Sequence, residues 1–359
     1  MKAMVRTSFG VQELLDVHVD EPEPDEVLVR VSASGVCHSD LTQLNGGMFG
    51  ITDEARVLGH EVAGIVERVG SAVTEFAPGD QVVGCLSRSC GHCTQCYEGL
   101  GYLCANRAKI NRPRPRLSVD GKEVTQSGQL GGFAEMVLTG ADTLVKVPHE
   151  VPAECAALLG CAVITGAGAI LNAARPSVGS AVAVFGVGGV GLNVVQAAAL
   201  SGARQVVAVD ITDDKLELAR TFGATHTVNA ASGDAGATLR AITDGGVEYA
   251  FECAGLASTA LDALRAVKPG HGVYLVGVPT AGVTFDIPAG ELVLTAKHIH
   301  GVSMGANRFK RDIPLLAQMY LQGQLRLDEL VADRIELGDV PKAMERFADG
   351  GVARSVIVF

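Results

Sequence analysis

The chain has 359 residues, 48% of them hydrophobic and 19% charged, with no Trp and with 29 basic against 40 acidic side chains. A net charge of −11 offers no basic field to a phosphate backbone, which excludes a general nucleic-acid binder, and no uninterrupted apolar run of membrane-spanning length is expected. Nine cysteines are an odd number, no secretory leader pattern precedes the first strand-like segment, and a chain this long needs no disulfide staples, so a soluble, cytoplasmic, two-domain protein is expected.

From Val5 to Val147, short β-like runs such as VLVRVSASG, AGIVERVG and DQVVGCL are punctuated by Gly, Pro and Asp, the pattern of an irregular β-rich unit. Inside it, Cys90, Cys93, Cys96 and Cys104 share the stretch CGHCTQCYEGLGYLC. Spacing this short lets four thiolates converge on one tetrahedral ion, and four sulfurs complete the shell of zinc without an open position. This metal therefore holds a loop together and does no chemistry. Next comes an Arg/Pro stretch from Arg107 to Arg116, the one low-complexity hint in the chain.

Beyond Pro176 the rhythm becomes strand, helix, strand. AVAVFG, QVVAVD, HTVNA, VEYAFECAG and GVYLVGVP are buried-strand candidates, separated by helical stretches at 190–201, 213–222, 235–243 and 257–267. Such alternation predicts an α/β fold with a doubly wound parallel sheet. The strand AVAVF runs into Gly186, Gly188, Gly189 and Gly191, a G-x-G-G-x-G turn at the mouth of a helix beginning near Val190. Glycines there permit the tight turn, the approach of a pyrophosphate and close helix packing, with helix amides facing the negative charge. The glycines alone also fit a plain turn. Asp210, which ends the next strand, adds a carboxylate suited to the adenosine ribose hydroxyls. With Ile211 and Thr212 following and no Arg to meet a 2′-phosphate, NAD is favoured over NADP. Lys215 is placed to reach the same ribose and equally suits a solvated surface.

Three further residues, Cys37 in GVCHSD, His60 in GHEVAG and Cys161 in GCAVITGAG, could complete a Cys-His-Cys zinc site with an open fourth position. Spacing does not bring them together, and each taken singly is more often a buried core residue. The motifs GVCHSD, GHEVAGIVERVG, PGDQVV, the four-cysteine loop, GCAVITGAGA and VFGVGGVG, in this order along the whole chain, resemble a zinc-containing alcohol dehydrogenase of the medium-chain dehydrogenase/reductase superfamily. His38, TFGATHTVNA and VGVPT are similar to the branch that holds glutathione- or mycothiol-dependent formaldehyde dehydrogenases and benzyl-type alcohol dehydrogenases.

The resemblance implies a GroES-like catalytic domain over 1–162 and 304–359, carrying the 90–104 zinc loop, and a Rossmann domain over 163–303, with the active site in the cleft between them. It implies two zinc ions per subunit and NAD. Cys37, His60 and Cys161 become the catalytic zinc ligands, Glu61 an acid behind the metal, Asp40 the partner of the free His60 nitrogen, and Ser39 the first acceptor of the alcohol proton. His38 and Arg354 match pyrophosphate contacts, and Gly186, Gly188, Gly189, Val190, Gly191, Asp210, Lys215, Val276 and Val278 make up the rest of the cofactor set. Many relatives carry a proton-relay histidine five residues after the first ligand; Thr42 stands there, and a hydroxyl relays a proton but does not hold one near neutral pH. A rate only weakly dependent on an ionisation near about pH 6.5 is expected.

The implied reaction is reversible oxidation of a primary aromatic, allylic or medium-chain alcohol through a zinc-bound alkoxide, with hydride transfer to NAD. Leu41, Leu44, Met48 and Phe49 are candidate pocket walls or core residues. The alternative is a formaldehyde dehydrogenase acting on a mycothiol or glutathione adduct, for which Arg107, Lys109, Arg112, Arg114 and Arg116 offer an anion-binding loop or a solvated one. NGGMFG lacks a clear counterpart of the carboxylate pair found in glutathione-using relatives. From another class, a non-catalytic zinc- and nucleotide-binding sensor would keep the fold but needs fewer of these residues. Partners are a small alcohol or aldehyde and a second copy in a homodimer or homotetramer through edge strands near GVYLVGVP, with no nucleic acid and no membrane. Cys85, Cys155 and Cys253 are expected to be buried packing residues.

Overall fold

The computed structural model of the chain describes residues 1–48, 50–110, 114–233, 235–348 and 354–359. The chain divides into two compact units, Met1–Ala162 with Arg308–Phe359, and Val163–Asn307.

The first unit is organised on strand β1 (Glu26–Gly35). Val27, Val29 and Val31 alternate along it and each is no more than 2% exposed, the placement that β-branched side chains favour on a pleated surface. β1 pairs antiparallel with β2 (Glu61–Val69), with Met136–Gly140 and with the C-terminal strand Ser355–Val358. Ser355–Val358 in turn pairs with Asp333–Ile335, so the end of the chain is woven into the sheet of its beginning. Helix α1 (His38–Leu44) starts just beyond β1, with Cys37 as its N-cap. Gly35, at the end of β1, stands opposite Glu61; a Cβ there would lie 2.1 Å from Glu61 Oε2, so the position must be glycine for the Glu61 side chain to be where it is. A six-stranded sheet containing Lys2–Ser8 completes the unit, its core built from Ala3, Val5, Leu58, Phe133 and Ile357 among others.

The second unit is α/β. Strands β3 (Ala181–Phe185), β4 (Gln205–Asp210), β5 (Val247–Glu252) and β6 (Val267–Leu275) are joined by helices that include α2 (Gly189–Leu200) after β3 and α3 (Ala257–Ala266) after β5. They form a parallel six-stranded sheet in the order His226–Asn229, β4, β3, β5, β6, His298–Gly301. The order reverses between β3 and β5, the switch point at whose carboxyl end such sheets bind ligands. Ala183, Phe185, Val207, Val209, Ala250 and Val273 fill its core. The α/β fold class read from the sequence is therefore the observed one. The edge strand His298–Gly301 was not anticipated, because HIHG is short and half histidine.

One expectation is corrected. The helical run Ala153–Ala174 is long and apolar enough, by length and composition, to cross a membrane; 89% of its apolar window is buried inside the protein, which marks it as a core helix. It escaped the sequence reading because Gly160, Gly166 and Gly168 break up the hydrophobic run and because Leu159–Val163 and Ala169–Ala174 are π-helical, shifting the 3.6-residue rhythm.

Candidate metal centres and dinucleotide turn

The sulfurs of Cys90, Cys93, Cys96 and Cys104 all lie within 4.8 Å of one another. Separations are 3.4 Å for Cys93–Cys96 and 3.9 Å for both Cys90–Cys96 and Cys93–Cys104. Four sulfurs about 2.3 Å from a zinc ion form a tetrahedron with edges of about 3.8 Å, so this donor set fits the ion. Hydrogen bonds favour thiolates: the Cys90 N–H donates to Cys104 Sγ at 3.3 Å and Asn106 Nδ2 to Cys90 Sγ at 3.5 Å. The Cys90 thiol is pulled down to about 6, first by the His92 backbone N–H.

A second set converges in the same unit. The ligand atoms of Cys37, His60 and Cys161 also lie within 4.8 Å of one another, and all three residues are buried. Cys37 is the N-cap of α1, His60 immediately precedes β2, and Cys161 lies in the π-helical turn Leu159–Val163. Asp40, fully buried, ties two of these together: its carboxylate accepts the N–H groups of Cys37 and Gly59, both at 3.0 Å, and faces His60 Nδ1 at 3.1 Å. His60 is thereby left with Nε2 for a ligand bond. A hydrogen bond from Cys161 holds the Cys37 thiol well down, while the same bond keeps Cys161 up. Burial works against a proton on His60, but the charges of Asp40 and Cys37 outweigh it and raise its pKa. Two thiols and an imidazole in one buried place are a donor set that suits a divalent cation such as zinc, which displaces their protons on binding.

Glu61 is fully buried, with no hydrogen bond to either carboxylate oxygen among the described residues, and burial first of all pushes it up to about 7, against the pull of Arg354. Arg354 Nη2 lies 3.3 Å from Glu61 Oε1 and 3.5 Å from Cys37 Sγ. Ser39 Oγ is 3.3 Å from Cys37 Sγ. His38 is exposed, with its ring 5.9 Å from that of Phe347. The Thr42 hydroxyl donates to His38 O at 3.1 Å.

In the second unit, Gly186 takes φ +85°, and a Cβ on Gly191 would fall 2.0 Å from Gly186 O. At Gly188, the N-cap of α2, nothing lies within 4 Å of where a Cβ would stand. Open space at the Gly188 position, where the helix begins, fits a pyrophosphate at a helix N-terminus. Asp210 ends β4 with one oxygen accepting the Val187 N–H at 2.9 Å and the other the Ile211 N–H at 2.8 Å. Lys215 is half-buried in the helix Asp213–Thr221. Val276 is buried and Val278 exposed just past β6.

Residues 189–318 match the zinc-binding dehydrogenase family, and residues 23–149 the alcohol dehydrogenase GroES-like domain. An alcohol dehydrogenase class-3 of Oryza sativa subsp. japonica is 34% identical over 95% of this chain and 92% of its own length. The chain belongs to the zinc-containing alcohol dehydrogenases of the medium-chain dehydrogenase/reductase superfamily. An S-(hydroxymethyl)glutathione dehydrogenase of Paracoccus denitrificans is 31% identical, covering 97% of this chain and 96% of that protein. The crystal structure of benzyl alcohol dehydrogenase from Acinetobacter calcoaceticus superposes with a TM-score of 0.91 at 34% identity, covering 100% of this chain and 99% of the other. The protein is thus a zinc-dependent oxidoreductase, with zinc and NAD(P) as its cofactors.

Several residues of this dehydrogenase find other employment. Leu44 belongs to the core beside Ala3 and Val5, and Leu41 packs against it; Met48 is half-buried, and Phe49 lies outside the described residues. In the basic stretch, Arg114 Nη1 donates to Asp20 at 2.8 Å, and the buried Arg116 is ion-paired with Glu23, Glu26 and Asp20. Arg107 Nη2 donates to the Tyr102 carbonyl at 2.6 Å. Arg112 and the Lys109 side chain lie outside the described residues. Cys85 and Cys155 are fully buried, and burial pushes their thiols up to about 11 and about 12. Glu252, not singled out in the sequence, ends β5 at 2% exposure; an acid at the carboxyl end of a parallel strand, as Asp210 at the end of β4, was the available signal.

Proposed function

We propose that the enzyme is an NAD-linked zinc alcohol dehydrogenase that reversibly oxidises primary alcohols with aromatic, allylic or medium-chain bodies to aldehydes. The observation that carries the reading is the convergence of Cys37, His60 and Cys161 in one buried place, beside a separate and fully cysteinyl set. In this reading residues 1–162 and 304–359 form the GroES-like catalytic domain and 163–303 the Rossmann domain, a boundary four residues before the one between the two compact units. Cys37, His60 and Cys161 would hold a zinc ion whose chemistry there would be Lewis acidity toward an alcohol oxygen, and the glycine turn would hold NAD, which would serve as the hydride acceptor.

The chain's own residues do the rest. Asp40 fixes the ring orientation of His60 and raises its basicity. Ser39, 3.3 Å from the Cys37 sulfur, receives the alcohol proton. Thr42 relays it but cannot store it, so the exit depends on water. Glu61, held near neutrality and paired with Arg354, supplies an acid behind the ligands. Gly188 admits the pyrophosphate, with His38 and Arg354 as further phosphate contacts; Lys215 reaches the ribose, and Val276 and Val278 flank the nicotinamide. Asp210 accepts ribose hydroxyls and repels a 2′-phosphate, which supports NAD over NADP. The enzyme is taken to work in the cytoplasm as a homodimer or homotetramer.

A second reading, oxidation of the hydroxymethyl adduct of glutathione or mycothiol, is favoured by the S-(hydroxymethyl)glutathione dehydrogenase relative. Against it, the buried Arg116 is already engaged by Glu23 and Glu26 and is not free for the acidic groups of a thiol, and Arg114 is paired with Asp20. The test is NADH formation by the zinc-replete enzyme with benzyl, allylic and aliphatic alcohols, and with formaldehyde in the presence and absence of each thiol. Turnover of plain alcohols is expected. Turnover confined to formaldehyde plus a thiol overturns the first reading in favour of the second.

A further inference from the structure

Glu252 closes β5 at the switch point of the parallel sheet, directly beside Phe185, the last residue of β3 before the glycine turn. Its side chain is 2% exposed. A carboxylate taken that far out of water is costly unless it is well supplied with donors, and this one is. Oε1 accepts the N–H groups of Ala254 at 2.9 Å and Gly255 at 2.8 Å and the Thr259 hydroxyl at 2.7 Å. Leu256, the N-cap of α3, has no side-chain acceptor of its own, so Glu252 also places negative charge where the ten-residue α3 begins. The backbone carbonyl of the same residue accepts the N–H groups of Val276 and Gly277, at 2.8 and 2.9 Å.

One residue thus holds two loops, 253–256 and 276–278, and both press on the dinucleotide turn or on each other. A Cβ on Gly186 would meet Ala254 N at 2.9 Å, and one on Gly277 would meet Gly255 N at 2.3 Å. The glycine turn is therefore seated against a wall whose shape Glu252 fixes. Nothing in the alcohol chemistry calls for a carboxylate here, and a short apolar strand end would be cheaper to bury.

We propose that Glu252 is a positioning residue for the dinucleotide: without touching the cofactor, its carboxylate sets cofactor affinity by holding Ala254 and Gly255 against the glycine turn. The proposal rests on Gly186–Gly191 being the dinucleotide turn. Glu252→Gln keeps size and an acceptor oxygen but loses the charge, and charge-assisted hydrogen bonds are about twice as strong as neutral ones. NADH binding to the zinc-replete enzyme, followed by fluorescence titration, is expected to weaken about fivefold in Glu252→Gln and about two- to threefold in Thr259→Val. KM for benzyl alcohol at saturating NAD should stay within about twofold, as should zinc content. Val247→Ala, at the other end of β5, provides a comparison for general loosening of the strand. If Glu252→Gln and Thr259→Val both bind NADH within about twofold of the parent, or if Val247→Ala weakens it as much as they do, the proposal is overturned. Should Glu252→Gln fail to fold, Thr259→Val alone decides between the same two outcomes. Gly188→Ala separates the two levels: if it binds NADH as tightly as the parent, the turn itself has been misassigned, whatever Glu252 does.

Discussion

Asp40 illustrates how much one buried side chain can coordinate. It is fully buried, caps α1 through the Cys37 N–H, holds the Gly59 N–H and faces His60 Nδ1. Two of the three candidate ligands therefore owe their placement to one carboxylate. Replacing it with alanine leaves those donors unsatisfied and frees the imidazole, and loss of such a partner lowers metal affinity by roughly 10- to 100-fold. Asp40→Ala should accordingly yield one of its two zinc ions to a chelator far faster than the parent, while the ion in the four-cysteine loop leaves at the parental rate; equal release rates for both ions in parent and variant would remove Asp40 from this role. At the same scale, Arg116 shows what residue type conceals. An arginine in a basic run reads as solvated, yet this one is 4% exposed and ion-paired with acids from 20–26, a pairing decided by the sheet and invisible in the run itself.

The glycine turn separates two uses of one residue type within a single element. A Cβ on Gly191 collides with the carbonyl of Gly186, whereas one on Gly188 meets only open space. Gly191→Ala should therefore lower stability by about 1–3 kcal/mol, the usual cost of overpacking, and lose NADH binding with it. Gly188→Ala should melt like the parent and still bind NADH markedly more weakly, since its methyl group occupies the phosphate's approach. Thermal melts and NADH titrations of the pair check both halves. This element was legible in the sequence because its signal is local: glycines at fixed offsets, an apolar strand before and a helix after. Strands β1 to β5 and the Gly272–Leu275 half of β6 were legible for the same reason, as apolar-rich runs near turn residues; Val267–His271 was not, because Pro269 and Gly270 read as a turn. The long helical run Ala153–Ala174 was not, since its π-turns break the helical period, and neither was the edge strand His298–Gly301, whose histidines fit no strand template. The convergence of Cys37, His60 and Cys161 was out of reach of spacing altogether, because long-range strand pairing places Cys37 and His60 and a helical turn far along the chain places Cys161; only the resemblance of the surrounding motifs pointed to it.

At the scale of the whole molecule, the two units differ in how the chain builds them. Val163–Asn307 is continuous and has a core of its own around Phe185, Val207, Ala250 and Val273. The other unit is discontinuous, and its late segment is no appendage: Ser355–Val358 lies between β1 and Asp333–Ile335, and Val356 and Ile357 are fully buried. Removing that strand exposes an edge of β1 along residues that are otherwise in the core, and it takes with it Arg354, the partner of Glu61. A fragment of residues 163–307 should therefore unfold cooperatively and bind NADH, more weakly than the whole chain for want of His38 and Arg354, because it keeps the glycine turn, Asp210 and Glu252 with all its side-chain hydrogen-bond partners. A chain ending at residue 307 should fold only that part, leaving β1 and β2 without the C-terminal strand and the Cys37, His60 and Cys161 set unable to retain zinc. Calorimetry and zinc analysis of the two fragments check the contrast; a truncated chain that holds two zinc ions as tightly as the parent would show that the first unit does not depend on its late segment.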